Sequence, residues 1–217
     1  MLPVGCPGCD HIFEQQLAVP FWGTSYFSLP WAGSNGYTYR VLAHVDNTTA
    51  MIDGVEHGLN AGQFYEVNGT NVPHCFSSDQ PVSVGQYMEG AECGGNGDPS
   101  FVMLNAVGHE AMDVRFQTMG DVTTPDHYIN VVVSTTAVGN VILDGSSVAS
   151  SAFTPFPACM ERSYAQLPID SGAHRITCAD GLLGVVYGTG MGFQSYAFSL
   201  GAFATVVDPC ALSQSET

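Results

Sequence analysis

Met112-Asp113-Val114-Arg115-Phe116-Gln117 alternates without a break. Met112, Val114 and Phe116 point one way; Asp113, Arg115 and Gln117 point the other. That is the period of a strand with one face in a core and the other in water. The same pattern recurs on either side. In Tyr39-Arg40-Val41-Leu42-Ala43-His44-Val45-Asp46, residues Tyr39, Val41, Ala43 and Val45 share a face. The stretches 81–84, 128–133 and 182–187 are short, apolar and rich in β-branched residues, and read as strands buried on both faces. Asn-Gly at 35–36, 68–69 and 96–97, and Asp-Gly at 53–54, 144–145 and 180–181, supply tight hairpin turns. Helix is scarce: only 11–18 and 158–167 have room for a short one, and the second fits a strand equally well. The expected fold is all-β, antiparallel and sandwich-like.

The pattern also repeats. Tyr39 leads through Thr48-Thr49-Ala50 to Asp53-Gly54, and Tyr128 leads through Thr135-Thr136-Ala137 to Asp144-Gly145. Each copy then reaches a cysteine, Cys75 or Cys178, followed by an apolar strand carrying a tyrosine, Tyr87 or Tyr187. The reading is two tandem, tightly packed β-sandwich-like halves at 35–118 and 119–207. An N-terminal segment, 1–34, packs on the body or on a neighbour, and 208–217 forms a tail.

Lys+Arg is 4 against Asp+Glu 20, for a formal net charge of -16. The four cations are all arginine. That excludes a nucleic-acid surface, which needs a basic patch, and docking on anionic lipid. Hydrophobic residues make up 45% and charged residues 11%, so a core rather than disorder is expected. No stretch approaches the ~18 apolar residues of a membrane-spanning helix. Cys 7 with few charges suggests an extracellular, disulfide-stabilised protein with one thiol left over. The start lacks the basic and apolar regions of a signal peptide, so a secreted form would be a processed chain or an excised piece.

The ordered motifs Phe21-Trp22-Gly23-Thr24, Tyr39-Arg40-Val41-Leu42-Ala43, Ser78-Asp79-Gln80-Pro81-Val82, Gly97-Asp98-Pro99-Ser100, Tyr128-Ile129-Asn130-Val131-Val132-Val133, Leu143-Asp144-Gly145, Gly172-Ala173-His174 and Val186-Tyr187-Gly188 resemble the IgGFc-binding protein N-terminal domain family. The likeness runs from about residue 10 to 205. It implies an extracellular, all-β, non-enzymatic module of large secreted or surface-attached adhesive proteins. The expected function is binding or adhesion to an extracellular protein or glycan. The alternative is a structural subunit that polymerises into an extracellular filament or matrix, and so a homo-oligomer.

Spacing suggests pairing Cys75 with Cys93 and Cys159 with Cys178, each bridge contributing roughly 3 kcal/mol. One of Cys6 and Cys9, taken as Cys9, closes onto Cys210, and Cys6 is left for a bond between subunits. Asn47-Thr48-Thr49 and Asn68-Gly69-Thr70 match the N-glycosylation acceptor pattern at Asn47 and Asn68. The acidic glycine loop around 89–98 offers Glu89, Glu92 and Asp98 as oxygen ligands for calcium, though a solvated turn is the simpler reading. Phe21, Trp22, Tyr26, Phe27 and Trp31 form an aromatic cluster that fits a core better than a sugar platform. No cofactor or catalytic residue is expected. There is no G-x-S-x-G elbow, His109-Glu110 lacks the second His of a zinc protease, and Cys6-Pro7-Gly8-Cys9 is followed by Asp10 rather than a haem-ligating His.

Overall fold

The computed structural model describes residues 12–91, 97–119, 126–190 and 194–201. Among them, strands form two antiparallel sheets. The first holds β1 (Gly23–Ser28), β2 (Tyr37–Ala43), β3 (Thr48–Ile52), β4 (Val55–Leu59), β5 (Phe64–Thr70), β6 (His74–Met88) and β7 (Ser100–Met103). The second holds β8 (Ala111–Gln117), β9 (Asp126–Ser134), β10 (Ile142–Leu143), β11 (Ser146–Ser147), β12 (Thr154–Pro155), β13 (Arg162–Ile169), β14 (Ala173–Gly190) and β15 (Gln194–Ser199). The orders β4-β3-β6-β2-β5 and β11-β10-β14-β9-β13 correspond strand for strand. β1 and β7 flank β6 as β8 and β15 flank β14.

One long strand organises each half. The start of β6 pairs with β1 and β3, and its end pairs with β2 and β7. Between the two parts the register slips: Gly23 opposes Val82, but Ser25 opposes Ser77. β14 slips in the same place, with Ala111 opposite Leu182 and Asp113 opposite Thr177. Such a bulge bends the strand and re-aims it, so that one strand serves two layers. The duplication therefore holds residue by residue: His74 matches His174, Ser77 matches Thr177, and Tyr87 matches Tyr187. The Asp-Gly turns are shared as well. Asp53 (φ 49) and Gly54 (φ 84) lie in the left-handed region, as do Asp144 (φ 51) and Gly145 (φ 79). That backbone is what a two-residue hairpin turn requires.

The expected alternation is visible in burial. Tyr39, Val41 and Ala43 are inside, and Ile129, Val131 and Val133 line the second core. The halves are not independent, because Val185 and Tyr187 of β14 belong to the first half's core. A third cluster joins Leu29 to Val132, Phe156 and Leu183. Of the aromatic cluster, Tyr26 and Trp31 are buried, and Phe27 packs at the junction.

Several expectations change. The halves do not divide at 118/119: β1 belongs to the first sheet, and β8, ending at Gln117, belongs to the second. The reason is that β8 copies β1, so each half opens with its own edge strand. Residues 12–18 form no helix, and of the stretch 158–167 the part from Arg162 on is strand β13. Met112 is 57% exposed although Val114 and Phe116 turn inward, because it is the single β8 residue between Ala111 and Asp113, opposite the bulge. The cysteine pairing changes most. Cys75 is bonded to Cys159, with a Cα–Cα distance of 6.5 Å, and Cys178 is a buried free thiol. Cys75 lies on β6 facing the other half, and its partner is on the β12–β13 connection. Cys6, Cys9, Cys93 and Cys210 lie outside the described residues.

Candidate binding surface

Two features gather polar chemistry, and the first looks catalytic. His74 Nδ1 lies 2.5 Å from Asp53 Oδ2, and its Nε2 lies 2.7 Å from Thr70 Oγ1. Hydroxyl, imidazole and carboxylate are thus in line, as in an acyl-transfer triad. The second half repeats part of the arrangement. His174 Nδ1 lies 2.7 Å from Asp144 Oδ2, while its Nε2 meets the backbone carbonyl of Asp170 at 2.8 Å. The hydroxyl is gone and the rest persists. Asp53 Oδ1 also accepts from the Cys75 amide at 2.9 Å, as Asp144 Oδ1 does from the Arg175 amide at 2.8 Å. Each aspartate therefore locks its hairpin turn onto the long strand. Burial pushes the Asp144 carboxyl up, but the hydrogen bonds from His174 and the Arg175 amide outweigh it and hold the group below the usual carboxylate range. The sequence showed both Asp-Gly turns but not their histidines, which lie 21 and 30 residues further on.

The second feature is the outer face of the first sheet, over β5, β2, the end of β6 and β7. Register places Arg40 between Glu66 and Gly85, and Tyr87 between Thr38 and Phe101. Arg40 Nε donates to Glu66 Oε2 at 2.5 Å. Its guanidinium lies 5.0 Å from the Phe64 ring centre and 5.1 Å from that of Tyr87. Tyr87 in turn stacks on Phe101 at 4.3 Å and 5°. Gly85 leaves room for this stack, since a Cβ there would come within 2.7 Å of the Phe101 ring. Phe64 is 51% exposed. Burial pushes the Glu66 carboxyl up, but hydrogen bonds, those from Arg40 and Asn68 among them, bring it well below its ordinary value, so the pair stays charged at neutral pH. One corner of the face is touched by the N-terminal segment, through Gln16 Nε2 donating to Ser83 Oγ at 2.9 Å. Alternation put Arg40 opposite the core side. Phe64 and Glu66 gave no sequence signal, because only the β2–β5 register brings them beside it.

The other sequence candidates are dispersed. Glu89 is buried, with Oε1 accepting from Thr38 Oγ1 at 3.1 Å and from the Gly69 amide at 3.2 Å. The Asp98 carbonyl accepts from Ser195 Oγ, and Glu92 lies outside the described residues. Among the described residues, no three His, Cys, Asp or Glu side chains converge as a metal site would require.

Asn47 is exposed at a turn (φ 58). Asn68 is exposed too, but its Oδ1 accepts from Thr38 Oγ1 at 3.1 Å and its Nδ2, the atom a glycan takes, donates to Glu66 at 3.0 Å. A glycan on Asn68 would have to displace the bond to Glu66 beside the Arg40 ladder. Expressed in a glycosylating host, the chain is expected to carry a glycan at Asn47 and little or none at Asn68. Glycopeptide mapping checks this, and full occupancy of Asn68 would contradict it.

Fold and surface together define a duplicated, disulfide-linked all-β module with an arginine–aromatic face. Residues 1–188 match the family model described as IgGFc binding protein, and the chain belongs to that family. A search of curated proteins returned no match. Among solved structures, a conserved protein of unknown function from Pseudomonas aeruginosa PAO1 is similar at 14% identity, covering 78% of this chain and 79% of that one, with TM-score 0.25. A lectin from Pleurotus ostreatus in complex with GalNAc is 10% identical, covering 82% and 76%, with TM-score 0.25. An anti-sigma factor domain-containing protein from Clostridium clariflavum is 10% identical, covering 82% and 81%, with TM-score 0.20. Likeness at this level says nothing of what the chain binds.

Proposed function

We propose that the chain is a non-enzymatic, extracellular binding module that engages a protein or glycan through the outer face of its first sheet. The observation that carries this is the Arg40 ladder. A guanidinium anchored by Glu66 and held between two rings is pre-organised, and arginine with exposed aromatics is the composition of interface hot spots. A disulfide joining the halves suits an oxidising compartment, and the family membership agrees. Recurrence of the aspartate–histidine lock in the second half without its hydroxyl supports a structural rather than catalytic role for Thr70 and His74.

The test is an array of glycans and extracellular proteins that includes the chain itself, probed with purified protein. Phe64→Ala removes an exposed ring and should spare the fold, yet is expected to weaken binding by about tenfold or more, a loss of about 1.4 kcal/mol. An array with no binders, or binding indifferent to Phe64→Ala and to Arg40→Ala, would overturn the proposal.

A further inference from the structure

Each half has the same two outward faces. One lies over β1 and the start of β6, or over β8 and the start of β14; the other lies over β2 and the end of β6, or over β9 and the end of β14. The chain covers one face of each half with the other half. On the first half, the β1/β6 face receives the β12–β13 connection. There Phe27 meets Phe156 at 5.0 Å, Arg162 lies over the Phe27 ring at 5.7 Å, and Cys75 is bonded to Cys159. On the second half, the β9/β14 face receives the residues after β1. Pro30's carbonyl accepts from Asn130 at 3.0 Å and Gln166 at 2.7 Å, and Trp31 packs edge-on against Tyr187 at 4.8 Å. The remaining faces, one on each half, are left open by the opposite half. The first half's is the Arg40 ladder.

The second half's open face has an unusual charge arrangement. Phe27 opposes Cys75 in the first half, and at the matching rung Arg115 opposes Arg175. Like charges directly across an antiparallel pair repel. Arg175 is held by Asp113 through two bonds of 2.8 and 2.5 Å. Arg115 has no hydrogen bond or ion pair with any described residue, although the sequence holds 20 acidic residues against 4 basic ones. Keeping an end face soluble needs only polar side chains, which Ser or Thr would supply without repulsion. Ile142, 40% exposed, opposes Thr177, two residues along β14 from Arg175. An exposed cation with an apolar side chain nearby calls for a partner with a carboxylate and an apolar residue of its own. The other open face has Glu66, which already accepts from Arg40 and Asn68, and half-exposed Phe64.

We infer that these two open faces join copies of this chain head to tail, the Arg115–Arg175 face of one copy docking on the Arg40 face of the next. This rests on the Arg40 face being the contact surface, and it names a second copy as the partner. The contact repeats between molecules the relation the halves already have within one. It is heterologous and leaves an open face at each end, so it extends into chains of molecules rather than closing at a dimer. The net charge of -16 opposes it at long range. That repulsion reaches ~30 Å at 0.01 M salt but only ~8 Å at 0.15 M.

Sedimentation velocity of the full chain across a concentration series tests this. The expected result is monomer at ~0.01 M salt and a growing series of oligomers at ~0.15 M. Arg115→Glu breaks no hydrogen bond or ion pair among the described residues, so it should melt like the parent chain while needing at least tenfold more protein to associate; Phe64→Ala should do the same. A chain that stays monomeric at every concentration and salt, one that stops at dimer, or an Arg115→Glu chain that assembles like the parent, overturns the inference. A monomeric chain whose array binding still depends on Phe64 would sink this inference and leave the proposed function standing. Assembly that needs Arg115 but not Phe64 or Arg40 would sink both.

Discussion

Replacing Cys75 and Cys159 together with serine is expected to cost about 4.5 kcal/mol of stability. The bridge closes a loop with a sequence separation of 84. The unfolded chain's gain in entropy on opening a loop of that length gives the figure. A bridge between neighbours in sequence would restrict far less. For a chain of this size the melting temperature should fall by about 10–18 °C. The loss should appear as coupled loosening of both halves, because the bridge ties β6 of the first to the β12–β13 connection of the second. Cys178→Ala keeps the bridge and should cost only about 1 kcal/mol, the effect of a small buried truncation. Peptide mapping without reductant should recover the Cys75 and Cys159 peptides joined. Recovery of Cys75 joined to Cys93, or a double variant melting within about 2 °C of the parent, would refute the argument.

What the sequence disclosed follows from the range of each signal. Alternation in 112–117 and 39–45 is local, so the strands and their inward faces could be read directly. Asp53-Gly54 and Asp144-Gly145 are local too, and their left-handed turns stand where expected. The duplication could be seen, but its alignment could not. Matching Cys75 with Cys178 is off by three positions, because the true counterpart, set by the bulges in β6 and β14, is Arg175. Everything that depends on which strands meet was hidden. Cys75 pairs across the halves, Arg40 acquires Phe64 and Glu66 through register, and Arg115 faces Arg175 only because β8 lies beside β14. Composition gave the scarcity of cations, but not that two of the four would oppose each other.

Tyr87 and Tyr187 occupy the same place in the two halves, and the fold gives them opposite fates. Tyr87 lies on the open face beside Arg40, whereas Tyr187 is fully buried at the junction. The Tyr187 hydroxyl accepts from the Ala32 amide at 2.9 Å and donates to Asn130 Oδ1 at 3.0 Å. Burial pushes its ionisation far above the ordinary phenol value, so it stays a neutral donor at any physiological pH. Tyr187→Phe keeps the ring against Trp31 but strands the Ala32 N–H and leaves Asn130 Oδ1 with only the 3.3 Å bond from Gln166. At about 1–3 kcal/mol for each buried group left unsatisfied, and less for the second, the cost should be about 2–4 kcal/mol. Tyr87→Phe, at the twin position, keeps the ring beside Arg40 and Phe101 on the open face and should cost about 0.5 kcal/mol or less. Denaturant titrations with unchanged slope measure both. Equal costs would mean that the junction is as wet as the open face, and that residues 29–32 do not seal the second half onto the first.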